Sequence, residues 1–407
     1  MIIRFSFPDK RDVLFYLAYA IFLTFGTLST SFYYKYFIGT PYKIIITICL
    51  LLLIIREFMT QKYSIKVLLS GFVIALMIVL SIIRAESMAG NTVACVLAFM
   101  YCGRNVKFED IARFTVWLSS FLFIFIILSG YLGIIDNYTE ITSTNRVRAY
   151  LGFRYSLNAP ALFFNIVSLR FYLKKNKIKM IELLALLAIN FWLYKMTDSR
   201  LSFYMTTALI FISAMFKVFP GILKKKHKIV AFFAVSSFVI CMIFSIYLTV
   251  SYDSSVKWQS NLNSILAGRL RMGKASLIQY GVSWFGQNIV WVGNGLDAYG
   301  VRNTSVHTYV DCFYIQILQR YGIAFTLIII IFLTLSAYLC YKRNDKYLLT
   351  VLVFLAVHCV IDDLVLYLYY NTFWIAMGGL LFNEVRLITK ERISQNKSKN
   401  STVELDC

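Results

Sequence analysis

Long apolar runs recur along almost the whole chain, and they constrain its fold more than any other feature. About twelve runs can be separated, each roughly 14–25 residues long, and a helix needs roughly 20 residues to cross a bilayer. Hydrophobic residues make up 59% of the chain and charged residues 15%, so a soluble fold would have to expose much apolar surface. The sequence therefore predicts an all-α fold, a polytopic transmembrane helical bundle. The predicted spans lie near residues 12–28, 42–56, 65–83, 88–101, 112–133, 158–173, 180–194, 201–217, 229–252, 313–340, 347–361 and 366–385.

The connections between these runs are short, with two exceptions. The long ones are residues 134–157 and 253–312, and long loops on one side of a membrane protein are where binding or chemistry is usually placed. We expect residues 1–390 to form a single membrane domain and the polar residues 391–407 to form a disordered cytoplasmic tail.

The basic residues predict the orientation of the spans. The net charge is +21, which in a soluble protein would suggest nucleic acid, but here Lys and Arg cluster in the short connections. With a cytoplasmic N-terminus, the inner segments carry 27 of the 41 basic residues, and every inner segment is basic. Because cytoplasmic loops are enriched in Lys and Arg, we expect both termini to be cytoplasmic and both long loops to be extracytoplasmic.

Arginine is over-represented on the predicted outer side. It accounts for 9 of the 14 outer basic residues but for 9 of the 27 inner ones. The guanidinium group binds phosphate through two parallel hydrogen bonds and keeps its charge, so this bias favours an outer anion site. Alternatively, a given outer Arg contacts lipid headgroups or pairs with an acid such as Asp198 or Asp311.

His307 is the only one of three histidines predicted on the outer side. Imidazole accepts a proton near neutral pH, which suits a general base, and Asp311 could orient the ring. A plain loop position near the headgroups is the alternative. His227 lies in the basic stretch "KKKHK", where solvation explains it. His358 lies within a span, where the carboxylate of Asp362 could satisfy it or form a proton relay with it.

Two other features could carry chemistry. Asp362 and Asp363 could provide a base or bind a cation, although a solvated turn is the plainer interpretation. Arg200 follows possible helix caps in "MTDSRLSFY", and a helix N-terminus with an Arg suits an anion, although a capped helix also explains it. The eight cysteines form no C-x-x-C pair, so we expect neither a metal nor another cofactor.

The second long loop contains a stretch with helical periodicity, "NLNSILAGRLRMGKASLIQYGVSWFG". Leu262, Ile265, Leu266 and Leu270 could form its apolar face, and Arg269, Arg271 and Lys274 its basic side. This pattern predicts one amphipathic helix that could lie in the membrane interface.

Four segments, taken in order, resemble the superfamily of O-antigen and capsule polymerases of the Wzy type and O-antigen ligases. They are "RVRAYLGFRYSLNAP", "TDSRLS", "LAGRLRMGKASLIQYGVSWFGQNIVWVGNGL" and "SVHTYVDCFYIQILQRYGI". They are similar to the family's Arg-rich segment ahead of a span, its Ser-Arg pair, the Gly-rich part of its large loop and the His-containing end of that loop. The likeness covers roughly residues 140–330.

The resemblance implies glycan transfer from a polyprenyl pyrophosphate without a metal. It assigns His307 to the acceptor hydroxyl. It assigns the pyrophosphate to Arg200 together with one or more of Arg146, Arg148, Arg154 and Arg269. Pyrophosphate is a good leaving group that needs fixed positive charge, which agrees with the outer Arg bias. Asp311 and Asp362 remain as orienting groups or alternative bases.

We therefore expect a polysaccharide polymerase in the cytoplasmic membrane of a bacterium. It would join repeat units linked to undecaprenyl pyrophosphate on the outer face, with the flippase and chain-length regulator of the same pathway as possible partners. A ligase of the same superfamily is one alternative. A flippase or other transporter is the second, although flippases show repeated halves and this sequence shows none.

Overall fold

The structure is a computed structural model that describes residues 10–59, 64–84, 88–141, 146–221 and 227–383. The predicted tail, residues 391–407, lies outside the described residues. The fold is mostly helical, as the apolar runs predict. The helices are α1 (Lys10–Leu28), α2 (Thr40–Met59), α3 (Ile65–Ile83), α4 (Met88–Cys102), α5 (Phe108–Tyr131), α6 (Asn158–Lys174), α7 (Met180–Thr197), α8 (Arg200–Val218), α9 (Lys228–Val235), α10 (Ser237–Ser251), α11 (Lys257–Ile265), α12 (Arg269–Tyr280), α13 (Phe313–Arg320), α14 (Gly322–Lys342), α15 (Lys346–His358) and α16 (Phe373–Leu381).

Four of the described helices, α5, α7, α8 and α14, are long and apolar enough to cross a membrane. The α9 and α10 helices add a fifth candidate if they form one span, which bends by 60° between them. The apolar stretches Asp12–Leu28, Val67–Ile83 and Lys346–His358 are shorter, and α2 carries Lys43, Arg56 and Glu57 within its 20 residues. The α16 helix has 9 residues, or roughly 14 Å of length, because the chain before it is irregular. The fold is thus compatible with a helical membrane protein.

The α6 helix lies at the centre of the bundle. It packs against α5, α7, α8 and α15, and nearly every position from Asn158 to Leu169 is buried. Its sequence has no polar face, and a helix that is apolar all round is buried all round. Asn165 is the main polar group within it and donates hydrogen bonds to the Thr372 hydroxyl (3.0 Å) and the Tyr369 carbonyl (3.3 Å).

A buried ionic network joins helices at one end of the bundle. Arg104 is fully buried, and its guanidinium lies 2.5 Å from a carboxylate oxygen of Glu57. Arg56, which is 2% exposed, lies 3.0 Å from a carboxylate oxygen of Asp12. These bonds connect the start of α1, the end of α2 and the turn after α4.

Three predicted helices are broken in the structure. The run 229–252 forms α9 and α10, which bend by 60° at Ser236. The run 313–340 forms α13 and α14, separated at Gly322, whose φ is +90°. The predicted amphipathic helix of the second loop forms α11 and α12, separated where Ala267 and Gly268 both have positive φ. Leu262, Leu266 and Leu270 pack on the end of α10, whereas Ile265, predicted on the same apolar face, is 76% exposed.

Candidate active site

Four connecting segments meet at one end of the bundle. They are residues 29–39, the described residues 132–141 and 146–157, residues 281–312 and residues 359–372. The backbone N–H of Arg154 donates to the Thr30 carbonyl (2.9 Å), and the N–H of Leu296 donates to the Arg154 carbonyl (2.9 Å). The N–H of Phe313 donates to the Cys359 carbonyl (3.1 Å). Main-chain hydrogen bonds therefore join both long loops to the segments between the other helices.

Side chains also hold the two long loops together. Residues Thr139–Ile141 (β1) and Val147–Ala149 (β2) form a short antiparallel hairpin in the first loop. Arg302 of the second loop donates to Glu140 (2.7 Å) and to the Tyr150 hydroxyl (3.0 Å). The Arg302 hydrogen bond, more than any other contact, lowers the pKa of Glu140. Sequence reasoning missed this contact, because nothing in the spacing of Glu140 and Arg302 marks them as partners.

The four segments enclose a cavity of about 640 Å³. His307, Arg154, Asp311, Asp362 and Asp363 all line it. The wall between these ionisable groups is largely aromatic. It includes Tyr34, Tyr42, Tyr155, Trp291, Tyr309, Tyr367, Tyr369 and Tyr370.

His307 is half-buried in the cavity wall, and its Nδ1 atom lies 2.9 Å from the carbonyl oxygen of Val292. A carbonyl only accepts hydrogen bonds, so the neutral ring carries its proton on Nδ1 and leaves the Nε2 lone pair free. The ring is therefore oriented by the main chain of Val292. Residues 301–312 are not helical, so Asp311 does not follow His307 by one helical turn.

Arg154 is the predicted arginine that reaches the cavity surface. Its guanidinium donates to the carbonyl oxygens of Ser29 (2.6 and 3.1 Å) and Leu296 (3.3 Å) and lies over the Tyr34 ring at 4.7 Å. These bonds use three of the five N–H groups of the side chain and leave two for a ligand. No carboxylate of the described residues lies within 4 Å of it, so its charge is not neutralised by an ion pair.

Asp362 and Asp363 are buried, at 4% and 3% exposure, so the solvated turn expected for them is wrong. The chain between α15 and α16 folds inward here, and Asp363 accepts a hydrogen bond from Tyr309 (2.5 Å). Asp362 accepts one from the Leu364 N–H (2.8 Å). Burial raises the pKa of both carboxyls, and the repulsion from Asp363 raises that of Asp362 further.

Asp311 and Arg269 form a pair at the side of the cavity. Their side chains are 3.4 Å apart, and both are largely buried. Burial raises the pKa of Asp311, while Arg269 and His307 oppose the shift. Arg269 therefore lies behind the cavity wall with its charge matched by Asp311, which is the alternative of pairing with an outer acid.

The other predicted arginines lie away from the cavity surface. Arg146 forms an ion pair with Asp198, and Arg200 lies 3.8 Å from the same carboxylate with its side chain 59% exposed. Arg148 is half-buried opposite Glu140 in the hairpin. Arg154 thus lines the same cavity as His307, whereas Arg146 and Arg200 do not line it.

The two remaining histidines have different surroundings. His227 is exposed, as expected for a solvated residue. His358 is buried in α15, and its Nε2 lies 3.9 Å from Asp362, which is too long for a hydrogen bond. His358 and Asp362 therefore do not form the hydrogen bond expected between them.

The Gly-rich stretch after Trp291 contains a tight turn at Asp297. The carboxylate of Asp297 accepts the N–H groups of Tyr299 and Val301, both at 2.8 Å. Among the described residues, no group of three His, Cys, Asp or Glu side chains is arranged to hold a metal ion. Comparison of the chain with protein-family models, curated proteins and solved structures found no match.

Proposed function

We propose that the protein is a polysaccharide polymerase that joins repeat units linked to undecaprenyl pyrophosphate. The observation that carries this proposal is the shared cavity of His307 and Arg154. His307 provides a free imidazole nitrogen, and Arg154 provides a guanidinium without an ion pair and with two unused N–H groups. A reaction that takes a proton from a hydroxyl and releases a pyrophosphate needs these two groups, and it needs no metal.

The proposal includes twelve spans, with the cavity on the outer face of the cytoplasmic membrane of a bacterium. The four segments that enclose the cavity would follow the first, fifth, ninth and eleventh predicted spans. Segments after odd-numbered spans must lie on the same side of a membrane. Their convergence agrees with the predicted alternation, and the excess of Lys and Arg in the other connections favours a cytoplasmic position for those.

In the proposed reaction, Nε2 of His307 takes the proton of the acceptor hydroxyl as its oxygen attacks the anomeric carbon of the growing chain. The bond from that carbon to the pyrophosphate oxygen breaks, and the electron pair leaves with the lipid pyrophosphate. Arg154 stabilises the charge on this leaving group. Direct attack inverts the anomeric configuration, and Asp311 stabilises the imidazolium that forms.

The remaining wall of the cavity suits a sugar. Tyrosine and tryptophan rings offer flat apolar faces, and the carboxyls of Asp362 and Asp363 can accept hydrogen bonds from hydroxyl groups. These contacts would hold the acceptor sugar beside His307 while the pyrophosphate lies at Arg154.

The first test is the length of the surface glycan made by cells, read as a ladder on a gel. We expect deletion of the protein and His307→Ala each to reduce the ladder to single repeat units, with equal amounts of His307→Ala and wild-type protein in the membrane. His227→Ala is the matched control and should leave the ladder intact. Full-length ladders in the His307→Ala strain would exclude the proposed base.

A second assay separates the alternatives. Purified protein is supplied only with lipid-linked repeat units isolated from the deletion strain. A polymerase makes lipid-linked chains of several units, whereas a flippase makes none. Long lipid-linked chains in the deletion strain itself would indicate a ligase instead, since a ligase acts on finished chains.

A further inference from the structure

Two aromatic side chains of the second long loop are exposed although they belong to a well-bonded segment. Trp284 is 65% exposed and Phe285 63%. Both lie in residues 283–287, between α12 and the strand-like stretch that enters the cavity wall at Val290. Large apolar side chains exposed next to each other form a patch of the kind that marks contact with a partner or a membrane.

Main-chain contacts attach this segment to the first turn of α14. The N–H groups of Ile323 and Ala324 donate to the carbonyls of Ser283 (3.0 Å) and Trp284 (3.1 Å). The N–H of Gln287 donates to the Arg320 carbonyl (3.1 Å). Gly286 and Gly322 make this approach possible, because a Cβ atom on Gly322 would lie 2.3 Å from the nitrogen of Gly286.

The same segment contacts the end of α3. Arg84, the residue after α3, donates its Nε–H to the carbonyl of Phe285 (3.0 Å). The last residues of α3, Ile82 and Ile83, are apolar and exposed. Trp284 and Phe285 therefore lie level with the end of one apolar helix and the beginning of another.

The α14 helix is 21 residues long and apolar enough to cross a membrane, and its exposed positions begin with Leu327 and Ile331. If α14 spans the bilayer, its first turn marks the boundary between the hydrocarbon and the headgroups. Tryptophan is enriched at this depth, because its ring is apolar and its N–H group is polar.

We propose that Trp284 and Phe285 insert into the phospholipid headgroup layer and fix the second long loop to the membrane surface. The same chain continues within a few residues to Val290 and Trp291, which line the cavity. This attachment holds one wall of the cavity at the depth where the phosphates of membrane lipids lie. The proposal rests on membrane insertion of α14 and not on the proposed transferase reaction.

Site-directed spin labelling of the full-length protein in phospholipid nanodiscs tests the proposal. Trp284→Cys and Phe285→Cys place the label in the segment, and Tyr299→Cys and Val306→Cys are controls at positions of the same loop that are at least as exposed. Signal from unsubstituted protein gives the background of the native cysteines. Power saturation then compares accessibility to oxygen, which concentrates in lipid, and to a water-soluble nickel chelate.

We expect the ratio of oxygen to nickel accessibility to be several-fold higher at positions 284 and 285 than at 299 and 306. Equal ratios at all four positions would overturn the proposal, because the aromatic pair would then face water. Low accessibility to both reagents at 284 and 285 would also overturn it, and would indicate a protein partner on this surface.

Brominated phospholipids provide a second measurement that needs no cysteine. Trp284→Phe removes one tryptophan, and the difference in emission between wild type and variant reports on Trp284 alone. We expect brominated lipid to quench this difference. A difference that brominated lipid leaves unchanged would contradict the proposal.

Discussion

The Nδ1 atom of His307 lies 2.9 Å from the carbonyl oxygen of Val292, fifteen residues earlier in the chain. This contact fixes the tautomer of the ring and leaves Nε2 able to accept a proton. A main-chain carbonyl thus supplies the orienting group for the proposed base, a role that a carboxylate can also fill.

The first prediction concerns this ring. His307→Asn keeps an amide that can donate to Val292 but has no group that accepts a proton. We expect the rate of chain extension by purified protein to fall by about 10² to 10⁴, the usual contribution of a general base. The melting temperature of the variant should equal that of the wild type. Retention of most of the activity would show that another group takes the proton.

The second prediction concerns the leaving group. Arg154→Lys keeps the charge but loses the planar fork and its two unused N–H groups. A hydrogen bond to a charged group contributes about 1.5–3 kcal/mol, so we expect kcat/KM to fall by about 10- to 100-fold. Arg271→Lys, on an exposed arginine of the same loop system, is the matched control and should retain full activity. Equal effects of the two substitutions would argue against Arg154 as the pyrophosphate ligand.

The third prediction concerns pH and stability. Burial, and then repulsion from Asp311, raises the pKa of Asp363 above the value of about 4 that a carboxyl has in an unfolded chain. The folded protein therefore holds this proton more tightly. The contribution of the protonated Asp363 to folding stability is complete below about pH 4. It is lost as the pH rises through the raised pKa.

Asp363→Asn removes this loss of stability at high pH. The amide oxygen can still accept a hydrogen bond from the Tyr309 hydroxyl. We expect the melting temperature of the variant, relative to wild type, to be higher at pH 8 than at pH 5, because only the wild type is destabilised over this interval. Asp136→Asn, on an exposed carboxylate, should show no such difference. A relative melting temperature that is the same at both pH values would contradict the prediction.

The fourth prediction concerns the opposite end of the bundle. Glu57→Ala leaves the fully buried Arg104 without its carboxylate. Removing one partner of a buried ion pair typically costs about 3–5 kcal/mol of unfolding free energy. Asp110→Ala breaks an exposed pair with Arg113 and should cost at most about 1 kcal/mol. Denaturant unfolding of both variants in detergent measures the difference, and equal losses would refute the structural role of the network.

The apolar runs predicted the positions of most helices within a few residues. The run 158–173 became Asn158–Lys174, and 201–217 became Arg200–Val218. Helix positions can be predicted from such runs because a long apolar stretch has few alternatives to a buried helix. The break inside 313–340 was not predicted, because it depends on the approach of Gly286, which is far away in sequence.

The sequence by itself determined the helical class, the two long loops and the presence of a histidine and several arginines in them, because these follow from hydropathy and residue type. Only the tertiary structure decided which of these residues share a cavity. It placed Arg154 there, paired Arg146 with Asp198 and Arg269 with Asp311, and buried Asp362 and Asp363. The physical reason is that ion pairing and burial depend on contacts between distant segments, which no local pattern of residues encodes.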